Sequence, residues 1–164
     1  MSQRIVAFLA VFVALQLSWQ SLRGSSVEYA VVHYATVRPA AYLIDWISPQ
    51  IRAQAVDFSV RAHGGGLNVV NGCEGLDAIC LLIAAFAVAG LPLGMGLFGV
   101  TLGVATILVV NQLRIVALFF AYRRNPALFD MLHSAVAPLV MLLFVACYFH
   151  AWLAYSRNHA TAAA

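Results

Sequence analysis

The sequence contains no lysine and few charged residues of any kind. Its 164 residues include nine arginines and six acidic residues, so that 9% of the chain is charged and 63% is hydrophobic. Soluble domains carry about a quarter charged residues, and so few charges cannot cover the surface of a soluble globule. The composition therefore predicts an integral membrane protein with one compact domain.

Cysteine is also scarce. Cys73, Cys80 and Cys147 form no CxxC pair, so neither a disulfide framework, a zinc motif nor a dithiol redox site is expected. The basic residues form no run or aromatic stripe, and the net charge of +3 fits contact with the lipid bilayer rather than with nucleic acid. We expect no metal and no cofactor.

The first uncharged stretch predicts an N-terminal anchor helix over residues 1–22. Its 18 residues between Arg4 and Arg23 reach about 27 Å, close to the thickness of a bilayer core. A cleavable signal peptide is the alternative interpretation. No A-x-A cleavage pattern follows Trp19, which favours an uncleaved anchor.

Later uncharged stretches predict three further spans, in residues 73–154. The 36 uncharged residues between Asp77 and Arg114 suit two helices, at about 75–90 and 95–114, joined by a turn at Pro92. The polar-containing stretch 123–131 precedes a fourth span at about 132–154, and residues 155–164 form a frayed tail. The expected fold is thus an all-α membrane protein of about four transmembrane helices.

Residues 23–72 are more polar and predict an extracytoplasmic or interfacial segment. Within it, the stretch VEYAVVHYATV has an apolar, aromatic side that is typical of an interfacial helix. Val56, Phe58 and Val60 then alternate with polar residues, and glycines at 64–66 and an apolar LNVV stretch follow. This pattern predicts a small β-hairpin before the second transmembrane helix.

The predicted topology gathers three polar residues at one membrane surface: Cys73 enters the second span, Arg114 leaves the third and His133 enters the fourth. A helix start and a nearby arginine both lower the pKa of a thiol. Arg114 can stabilise a tetrahedral oxyanion, and His133 can transfer a proton to and from the leaving group. These residue types together predict a site of covalent acyl transfer.

Three neighbouring residues are expected to support this site. Asn111 lies about one helical turn before Arg114, while Glu74 and Asp77 either favour the helix start electrostatically or orient Arg114. Each of the three residues also has a plainer interpretation. Cys73 could be a small buried residue, and Arg114 could anchor its helix among the lipid headgroups. His133 could be an exposed side chain that pairs with Asp130.

The stretches NGCEG, NQLRI and LHSAV resemble the three motif blocks of the exosortase/archaeosortase family of membrane transpeptidases. The resemblance covers about residues 55–155 and places Cys73, Arg114 and His133 at the family's catalytic positions. Glu74 stands where many members have a small residue, and Ala137 where many have glycine. The chain is similar to the compact exosortase subgroups, which lack the additional N-terminal helices of larger members.

This resemblance implies a thiol protease (an EC 3.4.22-type hydrolase) or transpeptidase that cleaves a C-terminal sorting tail through a Cys73 acyl-enzyme. The implied partners are membrane-anchored proteins whose tails contain a recognition motif, a hydrophobic helix and a basic end. The implied location is a bacterial inner membrane, with the site facing the periplasm. Positive-inside counting favours the opposite orientation, because the inner flanks would hold only Arg4 and Arg157.

Two other classes of function stay open. A non-enzymatic accessory or assembly protein would use the same polar cluster to hold its helices together. A quinone or haem module would need axial histidines that face one another, whereas His133 and His150 lie on a single predicted span.

Overall fold

A computed structural model describes residues 2–69 and 72–162, which form five helices and one small antiparallel sheet. Helix α1 is Ser2–Ser21, and α2 (residues 26–47) comprises Ser26–Tyr29, the π-helical Ala30–Val37 and Arg38–Ile47. Helices α3 and α4 are Leu76–Val88 and Leu93–Arg124, and α5 (residues 126–162) comprises Pro126–Met131, the π-helical Leu132–Val136 and Ala137–Ala162.

Three of the described helices are long and apolar enough to cross a membrane, namely Gln3–Ser21, Leu93–Arg124 and Pro126–Asn158. The prediction of a helical chain with several membrane-spanning segments is confirmed at this level. Three such helices are described where four spans were expected, because α3 has 13 residues and extends about 20 Å. A bilayer core is about 30 Å thick.

Helix α3 is short because glycines with a left-handed backbone lie at both of its ends. Gly75, its N-cap, has a φ of +80°, and Gly90, two residues after its last turn, has a φ of +71°. A helix cannot continue through this conformation. The uncharged run that follows Asp77 continues through Gly90, and hydropathy carries no information on φ.

The two following helices are longer than predicted. Helix α4 continues past Arg114 to Arg124, because residues such as Ile115 and Phe119 are buried against α2 and the sheet. The side chain of Asn125 caps α5 by accepting a hydrogen bond from the Ala127 N–H. The predicted connection at 123–131 is therefore largely helical, as is the predicted tail up to Ala162; residues 163–164 lie outside the described part of the chain.

The sheet consists of β1 (Gln54–Val56), β2 (Ser59–Ala62) and β3 (Gly65–Asn68), in the order β1-β2-β3. Strands β2 and β3 form the predicted hairpin, with Val60 paired to Leu67. The alternating stretch from Val56 to Val60 is interrupted by a turn at Asp57, whose φ is 50°. The sheet therefore has one strand more than the predicted hairpin. The end of the LNVV stretch, Val70, lies outside the described residues.

Buried side chains form two clusters. The outer cluster joins α2, the sheet, Cys73 and the last third of α4 through residues such as Ile44 and Phe119. The inner cluster joins α3, α4 and α5 through residues such as Leu82 and Ile107. Cys73 belongs to the outer cluster and Ala78 to the inner one, so the start of α3 lies where the two clusters meet.

Helix α2 contains the stretch that is predicted to be an interfacial helix. The Gln112 side chain of α4 donates a hydrogen bond to the Ala35 carbonyl, at 2.8 Å. Ala35 lies in the π-helical segment of α2, where the wider helical turn alters the usual backbone pairing. This bond attaches α2 to α4 two residues before Arg114.

In the inner cluster, α5 packs on Gly99 of α4. The Tyr148 hydroxyl donates to the Gly99 carbonyl at 2.7 Å. A Cβ at position 99 would lie 2.5 Å from Phe86 Cε1 and 2.6 Å from Trp152 Cε2. Because aromatic rings cannot bend away, only glycine allows this close approach of α3, α4 and α5.

We expect Gly99→Ala to lower the free energy of unfolding by about 1–3 kcal/mol, because the added methyl group overpacks a site formed by two rings. Gly94→Ala is the matched control, since a Cβ at position 94 meets no atom within 4 Å. Thermal unfolding of both variants in detergent measures the difference. An equal effect of the two substitutions would contradict the packing described here.

Candidate active site

A loop of four residues, 72–75, leads into α3. Gly72 and Gly75 adopt left-handed backbone conformations, with φ of +86° and +80°. Between them, Cys73 and Glu74 are buried, with 4% and 5% of their surfaces exposed. Asn71, the first residue of the NGCEG motif, lies outside the described residues. The loop places Cys73 beside the first turn of α3.

Side chains of α4 hold this loop in place. Arg114 Nη1 donates to the Gly72 carbonyl at 2.9 Å, and Asn111 Nδ2 donates to the Cys73 carbonyl at 3.0 Å. The Glu74 carboxylate accepts a hydrogen bond from the Gly72 N–H at 3.0 Å. Non-helical backbone near apolar helices needs such partners, because little water is available there to replace them.

The three residues singled out from the sequence meet at the Cys73 sulfur. Cys73 Sγ lies 3.4 Å from His133 Nδ1 and 4.0 Å from Arg114 Nη2. The first distance is that of a thiol–imidazole hydrogen bond, and the second places a permanent positive charge beside the sulfur. A nucleophile, a base and a cation are thus brought together from three separate parts of the chain.

His133 lies in the π-helical segment of α5 and is half-buried. Such segments often occur at functional sites, because they change the direction of a side chain within a continuous helix. The alternative of an exposed pair with Asp130 is wrong for the part of the chain that the structure describes, since no bond joins the two side chains. The Asp130 carbonyl instead accepts a hydrogen bond from the Ser134 hydroxyl.

The expected supporting residues have different roles. The Asn111 side chain donates a hydrogen bond to the Cys73 carbonyl of the loop. The Glu74 carboxylate accepts a hydrogen bond from the Gly72 N–H of the same loop. Asp77 accepts a hydrogen bond from Gln16 of α1 at 2.9 Å, which ties α1 to α3. Within the described residues neither carboxylate pairs with Arg114, so the interpretation that they orient this arginine is wrong.

The absence of a side chain at Gly75 allows α4 to approach the loop. A Cβ at this position would lie 2.9 Å from Asn111 Cγ. The missing side chain therefore makes room for Asn111, which is itself fully buried. The sequence gives no direct signal for this contact, which depends on how α3 and α4 pack.

Burial raises the pKa of the Cys73 thiol above its ordinary value. The Arg114 guanidinium opposes this effect, whereas the Glu74 carboxylate adds to it. The prediction of a lowered pKa is therefore wrong in its net direction. It took account of the helix start and the arginine but not of the burial of the sulfur in the outer cluster.

An apolar groove of about 360 Å³ adjoins this site. Gly72, Gly75, Asp77 and Arg114 line its polar end, whereas Cys73 and His133 are not among the lining residues. The remainder is formed by side chains of α1, α3 and α5, which include Phe12, Ala78, Leu81, Pro138, Met141 and Leu142. An apolar segment that enters this groove would therefore contact the glycines on either side of Cys73 and Glu74.

The remaining cysteines lie elsewhere, with Cys80 buried in α3 and Cys147 exposed on α5. No group of three or more His, Cys, Asp or Glu side chains that could hold a metal ion occurs among the described residues. Sequence reasoning missed one neighbour of the site, Phe129, whose ring stacks on His133. The spacing of four residues on one helix was an available signal for this contact.

We expect opposite changes when the two charges beside Cys73 are removed. Arg114→Gln should raise the pKa of the thiol further, and Glu74→Gln should lower it, because each substitution removes one of the opposing electrostatic effects. The measurement is the pH dependence of Cys73 alkylation by iodoacetamide in a protein whose other two cysteines are alanine. Shifts in the same direction would contradict this account of the site.

In comparisons with known proteins, no family model, no curated protein and no solved structure matches this chain. The geometry around Cys73 and the three motifs that resemble the exosortase/archaeosortase family are therefore the grounds for a proposed function.

Proposed function

We propose that the protein is a membrane-embedded cysteine peptidase or transpeptidase of the exosortase type. It cleaves the C-terminal sorting tail of exported proteins that are anchored in the membrane. The observation that carries this proposal is the position of Cys73 Sγ, 3.4 Å from His133 Nδ1 and 4.0 Å from Arg114 Nη2, in a loop whose glycines line an apolar groove. A nucleophile, a proton acceptor and a fixed cation are the groups that covalent acyl transfer requires.

In the first step, His133 Nδ1 accepts the thiol proton while Cys73 Sγ attacks the scissile carbonyl carbon. The raised pKa of the thiol means that Cys73 holds its proton at rest, so the base acts as the attack occurs. The carbonyl oxygen gains negative charge in the tetrahedral intermediate. Arg114 Nη2 is near enough to the sulfur to stabilise this charge.

In the second step, protonated His133 gives its proton to the leaving amine, and the bond between the carbonyl carbon and the nitrogen breaks. The tail departs with the new amine, and the remaining protein is held as a thioester on Cys73. Water or an amine of a cell-surface acceptor then attacks the thioester, and His133 takes up the proton of this second nucleophile. The thiol is regenerated when the thioester breaks.

The groove supports a substrate whose cleaved segment is itself embedded in the membrane. Its walls are contributed by α1, α3 and α5 and are mostly apolar, whereas its polar end is at Arg114. A few side chains at the start of the hydrophobic helix of a sorting tail would enter this groove, which would bring the preceding peptide bond to the loop that holds Cys73. Placement in a bacterial inner membrane, with the site on the periplasmic side, follows from the motif resemblance.

A non-enzymatic accessory role is the second candidate. The observation in its favour is that Arg114 and Asn111 donate hydrogen bonds to backbone carbonyls of the loop, which would also hold α3 and α4 together without any chemistry. The two functions differ in what they require of the sulfur. An accessory protein tolerates Cys73→Ser and Arg114→Lys, whereas the peptidase loses activity with Cys73→Ser.

We expect Cys73→Ala to abolish tail removal, because no other nucleophile lies beside His133 in the described part of the chain. The measurement is an immunoblot of a co-expressed reporter that ends in a sorting tail encoded by the same genome. Cys147→Ala is the matched control, since Cys147 is exposed on α5 and should leave processing unchanged. Normal processing by the Cys73→Ala protein would rule out the mechanism.

We also expect Leu142→Trp to reduce tail removal at least tenfold by filling the groove, since a misplaced substrate loses near-attack geometry. Leu142 lines the groove and Leu143 does not, although both are about half exposed, at 51% and 55%. Leu143→Trp is therefore the matched control. Equal activity of both variants in the reporter assay would show that the tail binds elsewhere.

A further inference from the structure

We infer that Phe129 is a positioning residue that keeps Nδ1 of the His133 imidazole directed toward the Cys73 thiol. This inference rests on the proposed Cys–His pair and adds a residue that acts through His133 rather than on the substrate. The ring of Phe129 lies 5.3 Å from that of His133, with 8° between their planes. The two rings are thus stacked nearly parallel.

The stack bridges the change of helical geometry in α5. Phe129 lies in the α-helical segment Pro126–Met131, whereas His133 lies in the π-helical segment Leu132–Val136. Side chains four residues apart on one helix face are neighbours. The α-helical turn that carries Phe129 therefore supplies a fixed surface for the imidazole, whose own backbone is in the wider turn.

No polar group performs this orienting function in the described part of the chain. Among residues 2–69 and 72–162, the His133 ring makes a hydrogen bond between Nδ1 and Cys73 Sγ, and no carboxylate or amide of these residues contacts its other nitrogen. In most Cys–His pairs a third, hydrogen-bonding group orients the base. Here the ring face of Phe129 is the contact that restricts rotation of the imidazole plane.

Phe129 is itself held by a second ring. The Tyr122 ring, near the end of α4, meets the Phe129 ring edge to face, with centroids 5.4 Å apart and 76° between the planes. Phe129 also packs against the outer cluster. Arg114 and Tyr122 are both on α4. This one helix therefore carries the cation and also supports the Phe129 ring that stacks on His133.

The torsion that rotates a histidine ring has broad minima, so an unsupported imidazole spends much of its time with Nδ1 turned away from the sulfur. Aromatic stacking increases the population of one arrangement of two rings by a factor of about two to ten, in addition to the effect of burying them. We therefore expect Phe129→Leu to slow Cys73 alkylation at neutral pH by about this factor. Phe129→Tyr keeps the ring face and should retain the original rate.

The test is a double-mutant cycle on the protein whose other cysteines are alanine, with the rate of iodoacetamide alkylation of Cys73 as the measurement. The four proteins carry the original residues, Phe129→Leu, His133→Ala and both substitutions. If Phe129 acts through His133, its replacement slows the reaction only while His133 is present. Phe98→Leu is the control, since Phe98 packs on Trp152, away from the site.

Three results would overturn the inference: an unchanged rate for Phe129→Leu, an equal slowing in the His133→Ala background, or a Phe129→Tyr protein as slow as Phe129→Leu. If Phe129→Leu does not fold, as judged by thermal unfolding, Phe129→Met replaces it in the cycle. The alkylation assay needs no sorting tail. Failure of the cycle therefore leaves the peptidase proposal intact, while normal tail removal by Cys73→Ala would end that proposal independently.

Discussion

The attachment of the 72–75 loop to α4 is the constraint on which the rest of the site depends. Asn111 and Arg114, one helical turn apart, donate to the carbonyls of consecutive residues, Cys73 and Gly72. This loop has two left-handed glycines and cannot satisfy its own carbonyls as a helix would. Because both donors come from one helix, the loop is fixed to α4, and α4 also carries the cation that faces the sulfur.

The start of α3 explains why the thiol is buried and what this burial requires. Helix α3 begins only after Gly75, so Cys73 lies in non-helical backbone, which the residues of the outer cluster cover. That cover removes the sulfur from water and raises the pKa of the thiol, which Arg114 only partly offsets. A thiol that keeps its proton needs a base within hydrogen-bonding distance, and His133 is at that distance.

The sequence was sufficient to predict the membrane-spanning character of α1, α4 and α5, because length and hydropathy decide this property. It also predicted that Cys73, Arg114 and His133 lie near one another, since a helical hairpin returns the chain to its starting side. The length of α3, the strand β1 and the raised thiol pKa were not predictable in this way. The first two depend on backbone φ at Gly75 and Asp57, and the third on packing between segments that are distant in sequence.

The contacts of Cys73 separate what its backbone does from what its side chain does. Asn111 bonds the carbonyl of Cys73, a group that any residue at this position would supply. The sulfur instead lies against His133 and Arg114, which are contacts that only this side chain makes. A site built only to join helices has no need of a thiol beside both an imidazole and a guanidinium. The proposed chemistry at the sulfur would account for the arrangement of the side chain, and the support of the loop accounts for the arrangement of the backbone.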